Sequence, residues 1–190
     1  MALRHIPWIS PDEFLDQEAT SETKHMYYAG MVMAMAGGSY EHGRLAGNLL
    51  GSLFTALSGR GCGVVGSDVM LQTGSKELLA YPDVMVIRGP VLRMAGRPSV
   101  VTNPIFVAEV LSPSTEAIDR GVKSIEYRAS PTIRQYALLS QDSPRVELHT
   151  RGEDGAWRIS DVSGLDVDCE FTSLDCRIPM AALYEGVLDA

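Results

Sequence analysis

The sequence predicts a single α/β (α+β) domain over residues 1–190, with a mixed β-sheet flanked by helices. Three observations carry this. Helix signals with caps alternate with β-rich runs, the order reading helix, strand, helix, three strands, helix, then further strands. One run, Pro104 to Leu111, is almost entirely apolar, as a strand buried on both faces should be. The hydrophobic fraction of 45% suffices for a real core in a chain of 190 residues, a length that fits one domain.

The elements follow in order. Ser10 can cap a first helix, Pro11 suits its first position and Glu13 can return a capping-box bond; the helix is expected to end near Lys24. Tyr27 to Ala36 reads as a strand, with Gly30 as a turn or bulge. Gly37-Gly38-Ser39 breaks it. A second helix then starts at Ser39 or Tyr40 and reaches about Leu57, with Leu45, Leu49, Leu53 and Leu57 at helical spacing. Gly59, Gly61 and Gly63 end it. Val64 to Thr73 and Leu78 to Arg88 read as strands around the turn Gly74-Ser75-Lys76-Glu77. Arg93 to Thr102 reads as a loop. Ser112-Pro113-Ser114-Thr115 stops the apolar strand and caps a third helix to about Arg128. Short strands follow at Arg134 to Leu139, Arg145 to Thr150 and Trp157 to Val162, and Pro179 to Tyr184 reads as a short helix. No repeat or low-complexity segment is visible.

Several function classes are disfavoured at once. No stretch approaches the roughly 18 uninterrupted apolar residues of a membrane helix, and the first eight residues lack the apolar centre of a secretion signal. The expectation is a cytoplasmic protein that does not engage a membrane. Cys62, Cys169 and Cys176 are odd in number and form no C-x-x-C pair, which argues for reduced core thiols rather than a disulfide framework or zinc site. A net charge of −8 opposes any broad, non-specific nucleic-acid surface. A nucleic-acid function therefore needs a local basic patch, a metal ion or a partner.

Two carboxylates stand in unusual places. Glu109 interrupts the most apolar segment of the chain, where an unpaired carboxylate costs several kcal/mol or more. Asp83 follows Pro82 inside a second apolar run, at a point where the backbone must bend. Two acids at neighbouring strand ends suit one hard cation, since Mg²⁺ takes one or two protein carboxylates and completes its shell with water and phosphate. Each acid alone is equally well read as a loop cap or an arginine partner. Asp119 and Lys123 lie four apart on the third helix, the spacing of a surface ion pair. His42, beside Glu41 near the start of the second helix, reads on its own as an ordinary polar residue. Asp68 sits in a strand from which Asp83 is within reach across the pair. The methionines read as core filler.

At Tyr81-Pro82-Asp83 and at Phe106-Val107-Ala108-Glu109-Val110-Leu111-Ser112-Pro113-Ser114-Thr115 the sequence resembles the Uma family of restriction-endonuclease-like proteins, first known only as a domain of unknown function, within the PD-(D/E)XK nuclease superfamily. The resemblance extends over most of the chain. It takes in Met35 to Ser39 with His42, Gly66-Ser67-Asp68, Asp119-Arg120-Gly121 with Lys123, Tyr127, Pro131 to Gln141 and Tyr184-Glu185-Gly186. Pro-Asp is a weak signal, whereas Glu-Val-Leu-Ser-Pro-Ser-Thr with Asp and Lys downstream is a strong one.

The resemblance implies a restriction-endonuclease-like mixed sheet flanked by helices and a DNA phosphodiesterase centre that uses Mg²⁺ or Mn²⁺. Asp83 and Glu109 would be its metal-binding residues. The superfamily lysine normally stands two residues after the second acid, where this chain has Leu111; Lys123 on the next helix is its expected substitute. His42 is expected to contact phosphate or tune the acids. Relatives carry acids in the first strand where this chain has Met26, Ala29 and Met31, and Glu41 is a conceivable replacement. Arg120, Lys123, Arg128 and Arg134 are read either as a basic groove or as scattered surface charges. A homodimer would suit an enzyme cutting both strands. The competing readings are a catalytically degenerate binding or regulatory module, and an unrelated domain whose buried acids are structural.

Overall fold

The computed structural model describes residues 8–35 and 37–188. The expected strand end at Ala36 and most of the amino-terminal stretch expected to lack a secretion signal lie outside them. Helix α1 (Pro11–Glu18) opens with the expected capping box: Ser10 Oγ accepts from the Glu13 N–H, and Glu13 Oε2 accepts from the Ser10 N–H. The helix stops well before Lys24. The Glu18 carboxylate accepts from the backbone N–H of His25 at 2.9 Å and contacts the His25 ring, which turns the chain into a strand. The expected strand from Tyr27 is a hairpin of β1 (His25–Tyr28) and β2 (Met31–Ala34), joined by Ala29 and Gly30 with φ of 46° and 91°. Helix α2 (Tyr40–Ala56) is capped by Ser39 and buries Leu45, Leu49 and Leu53, with Leu57 buried just beyond its end.

The two apolar runs that follow each break in the middle. They give β3 (Cys62–Gly66) and β4 (Met70–Gln72), then β5 (Leu78–Ala80) and β6 (Val84–Arg88). Residues expected as a loop form a small hairpin, β7 (Arg93–Met94) and β8 (Arg97–Val101), turned at Gly96 with φ of 75°. Next come the buried strand β9 (Phe106–Leu111) and a composite helix. This is α3 (Glu116–Ile118), a π-turn (Asp119–Lys123) and α4 (Ser124–Ala129). The chain ends with β10 (Gln135–Ser140), β11 (Arg145–Arg151), β12 (Trp157–Ser163), an unexpected ribbon of β13 (Asp168–Phe171) and β14 (Cys176–Pro179), and α5 (Met180–Leu183).

The strands form two mixed six-stranded sheets, in the orders β2-β1-β5-β4-β8-β7 and β12-β11-β10-β9-β6-β3. The expected α/β (α+β) mixed-sheet class holds, with a second sheet covering one face where helices were expected. The second sheet is central. Its alternation sends Val84, Val86, Phe106, Ala108 and Val110 into a core under α2 and the carboxy-terminal elements, and sends Met85, Ile87, Val107 and Tyr136 into a core against the first sheet. Phe14 and Leu15 of α1 cover the outer side of the first sheet. The period of two places Glu109 on the side of Val107, and Asp83 on the side of Met85, so both acids point between the sheets. No described helix is long and apolar enough to cross a membrane. All three cysteines are free thiols, and burial pushes the Cys169 thiol up to about 12.

Candidate active site

Asp83 owes its place to the break between β5 and β6. These strands belong to different sheets, and Tyr81-Pro82-Asp83 is the crossover between them. Proline, with no N–H for a ladder, suits that bend. Beyond it β6 pairs antiparallel with β9, Val84 opposite Ala108, so the next step of the register sets Asp83 beside Glu109. The Val110 N–H donates to Asp83 Oδ2 at 2.7 Å, and His42 Nε2 lies 3.3 Å from the same oxygen. His42 is brought there by the first turn of α2, which Ser39 caps through the His42 N–H. Sequence reasoning could name His42 but could not assign it this partner. Its hydrogen bond with Asp83 raises the imidazole pKa above its ordinary value despite partial burial, with the nearby Glu109 and Asp119 charges adding to the effect.

Glu109 is almost wholly buried, with a side chain only 3% exposed. Lys123 Nζ lies 3.1 Å from Glu109 Oε1, and the Tyr127 hydroxyl donates to that oxygen at 2.8 Å. Burial pushes the Glu109 carboxyl up to about 8; Lys123 and Tyr127 pull it down, and the Asp83 and Asp119 charges push it further up. Lys123 also lies 2.8 Å from Asp119 Oδ1. The pair expected on the surface is therefore buried, because the π-turn and α4 pack against the central sheet with Tyr127 inside. Burial works against the Lys123 charge, but Glu109 and Asp119 more than offset it and hold the ammonium pKa above its ordinary value. Asp119 is the site residue that spacing alone understated.

These side chains line a cleft of about 160 Å³ bounded also by Met26, Met33, Met35, Ile118 and the hydroxyls of Ser112, Ser114 and Thr115. Of the three first-strand positions where acids were expected, only Met26 reaches the cleft; Ala29 is in the hairpin turn and Met31 opens the far strand. Glu41 does not stand in for them. It does not line the cleft. Asp68 faces solvent and pairs with Lys24 rather than Asp83. The four basic residues considered as a groove are dispersed: Arg120 is held by Glu116 and Glu147, Lys123 is buried, Arg128 donates to the Ser124 carbonyl, and Arg134 is exposed.

The donor set can be tested against a cation on charge and chemistry. Three carboxyl groups, Asp83, Glu109 and Asp119, face the one lysine of the cleft, Lys123, with His42 on Asp83. The contacts above fall on Asp83 Oδ2 and Glu109 Oε1, and the second oxygen of each carboxylate takes part in none of them. No group of three or more His, Cys, Asp or Glu side chains is arranged to hold a metal among the described residues. Two hard oxygens are too few for a closed zinc shell but match the one or two carboxylates from which Mg²⁺ is bound. The residues fit a divalent hard cation.

A mixed α+β fold with two acids and a lysine between its sheets is the arrangement of a nuclease-like protein. Comparison with known proteins makes this specific. The family model Uma2, described as "Putative restriction endonuclease", matches residues 11–178, and the chain belongs to that family. Two relatives come from Synechocystis sp. (strain ATCC 27184 / PCC 6803 / Kazusa). "Uncharacterized protein slr1290" is 34% identical over 181 residues, covering 95% of this chain and 94% of its own, and "Uncharacterized protein sll1609" is 32% identical over 160 residues, covering 84% and 90%. Among solved structures, a protein from Anabaena variabilis ATCC 29413 described as a putative nuclease belonging to DUF820 superposes with a TM-score of 0.76. It is 14% identical and covers 93% of this chain and 97% of its own, a likeness of fold.

Proposed function

We propose that the protein is a metal-dependent endonuclease that hydrolyses DNA phosphodiester bonds at the cleft between its sheets, with Asp83 and Glu109 holding Mg²⁺ or Mn²⁺. The observation that carries this is the convergence of Asp83, Glu109 and Lys123 on one cleft, where three carboxyl groups face one lysine. A divalent cation held there supplies a Lewis acid that lowers the pKa of a bound water and offsets phosphate charge. Lys123 places its ammonium beside Glu109, where it orients the attacking water and stabilises the charge that grows on phosphate. His42 and the Val110 N–H fix Asp83 through Oδ2 and so leave Oδ1 for the cation. Tyr127 does the same for Glu109 by engaging Oε1. The Ser112, Ser114 and Thr115 hydroxyls at the rim offer donors to phosphate oxygens.

The test is incubation of the purified protein with plasmid, single-stranded DNA and RNA in Mg²⁺ or Mn²⁺, beside Asp83→Ala and Glu109→Ala. The reading expects cation-dependent DNA cleavage that both substitutions abolish. A second reading, a degenerate relative that binds without cutting, is favoured by one observation: Met26, Met33 and Met35 make an apolar wall where an acid was expected. Folded wild-type protein that binds DNA but neither binds a divalent cation nor cuts would select it.

A further inference from the structure

Asp119 is 1% exposed and lies on the π-turn, with Lys123 as its ion-pair partner across that turn at 2.8 Å. The pair is one of charge rather than of an aligned hydrogen bond, since Asp119 Oδ1 is buried without any partner of hydrogen-bond geometry. The backbone at this point is clamped as well: the Tyr136 hydroxyl, on the central sheet, donates to the Asp119 carbonyl at 3.1 Å. Burying a carboxylate is costly without a return. The pair of cleft acids does not need this one for coordination, and Lys123 already has Glu109.

The return becomes visible on counting charge with a cation in place. A divalent ion beside Asp83 and Glu109 offsets both carboxylates, so Glu109 no longer serves as a net anionic partner for Lys123 in the cleft. Repulsion from the ion would push such an ammonium out of the cleft unless a second anion held it. Asp119 supplies the one negative charge that makes cation, Asp83, Glu109 and Lys123 jointly neutral. We propose that Asp119 is a positioning residue that holds the Lys123 ammonium in place beside a divalent cation. This rests on the nuclease reading of the cleft, and assigns to Asp119 a role that acts through Lys123 rather than through coordination.

The experiment is calorimetric titration of Mn²⁺ into the full chain as wild type, Asp119→Asn, Lys123→Met and the double variant, with thermal unfolding of each beforehand. Losing one fixed negative charge near the ion should weaken Mn²⁺ about tenfold in Asp119→Asn, and removing Lys123 as well should return affinity to within about threefold of wild type. DNA cleavage should be lost in both single variants and stay lost in the double one, since Lys123 is gone. A double variant as weak for Mn²⁺ as Asp119→Asn would make Asp119 a ligand and overturn the proposal. Wild-type affinity in Asp119→Asn would overturn it too. Should Asp119→Asn not fold, the double variant decides alone, because it exchanges one neutral pair for another and must bind within that threefold. Wild-type protein that takes up no Mn²⁺ overturns both this and the nuclease reading. Affinities that follow this pattern, with a wild type that takes up Mn²⁺ but cuts no DNA, overturn the nuclease reading alone.

Discussion

Replacing Glu109 by Gln gives the sharpest prediction about the buried centre. Glutamine keeps the shape of the carboxyl and can still accept from Tyr127, but it cannot ionise. In the folded protein the Glu109 pKa is raised from 4.5 to about 8, chiefly by burial. A raised carboxyl pKa means that the native state holds the proton more tightly than the unfolded chain. Stability from this group is therefore fully present below pH 4.5 and is lost progressively as pH climbs to about 8. At about 1.4 kcal/mol for each tenfold change in proton affinity, the ionised group costs the fold on the order of 5 kcal/mol. The variant avoids that cost, and the attraction of Lys123 is already contained in the shifted value. Without metal, Glu109→Gln matched to wild type near pH 5 should exceed it by roughly 4 kcal/mol at pH 9. Urea unfolding in chelator at both pH values measures this. Wild type gaining on the variant as pH rises would refute the reasoning, for Glu109 would then be stabilised by ionising. A divalent cation should narrow the gap, adding about 2.7 kcal/mol to wild type at a hundredfold excess over Kd.

Other expectations follow from single contacts. Tyr127→Phe removes the donor to Glu109 Oε1 and with it an influence that lowers the Glu109 pKa; it should cost about 1 kcal/mol in urea and weaken cation binding at neutral pH in calorimetry. Lys123→Met should keep or tighten Mn²⁺ binding while abolishing cleavage, a split that steady-state kinetics beside calorimetry resolves. Ser39→Ala removes the cap that starts α2 and orients His42; thermal unfolding should register about 1 kcal/mol of destabilisation.

Glu109 was legible because a carboxylate inside Phe-Val-Ala-Glu-Val-Leu has no inexpensive explanation, and Asp83 because proline breaks an apolar run beside it. Their adjacency was not, since it depends on β6 pairing with β9 and on a crossover between two sheets that no local pattern encodes. The cap at Ser10 and the start of α2 at Ser39 or Tyr40 were read correctly because helix starts are a matter of a few neighbouring residues. Lys123 and Asp119 looked like a surface pair because four-residue spacing says nothing about which way a helix face turns, and that was decided by Tyr127 packing beneath Glu109. The β7–β8 hairpin and the β13–β14 ribbon are short and weakly patterned, and their pairing is settled by tertiary contacts rather than propensity. The same limit made Ala29 and Met31 look like losses from the site. The hairpin turn sets them away from the cleft, and only Met26 bears on it.

The central claim is that Asp83 and Glu109 share one divalent cation. Its most direct test is titration of Mn²⁺ into wild type, Asp83→Asn and Glu109→Gln, each shown beforehand to be folded. The account predicts one ion per chain in wild type, and an affinity at least about tenfold weaker in each variant, since each removes one of two charged ligands. Cation binding that survives both substitutions unchanged would contradict it.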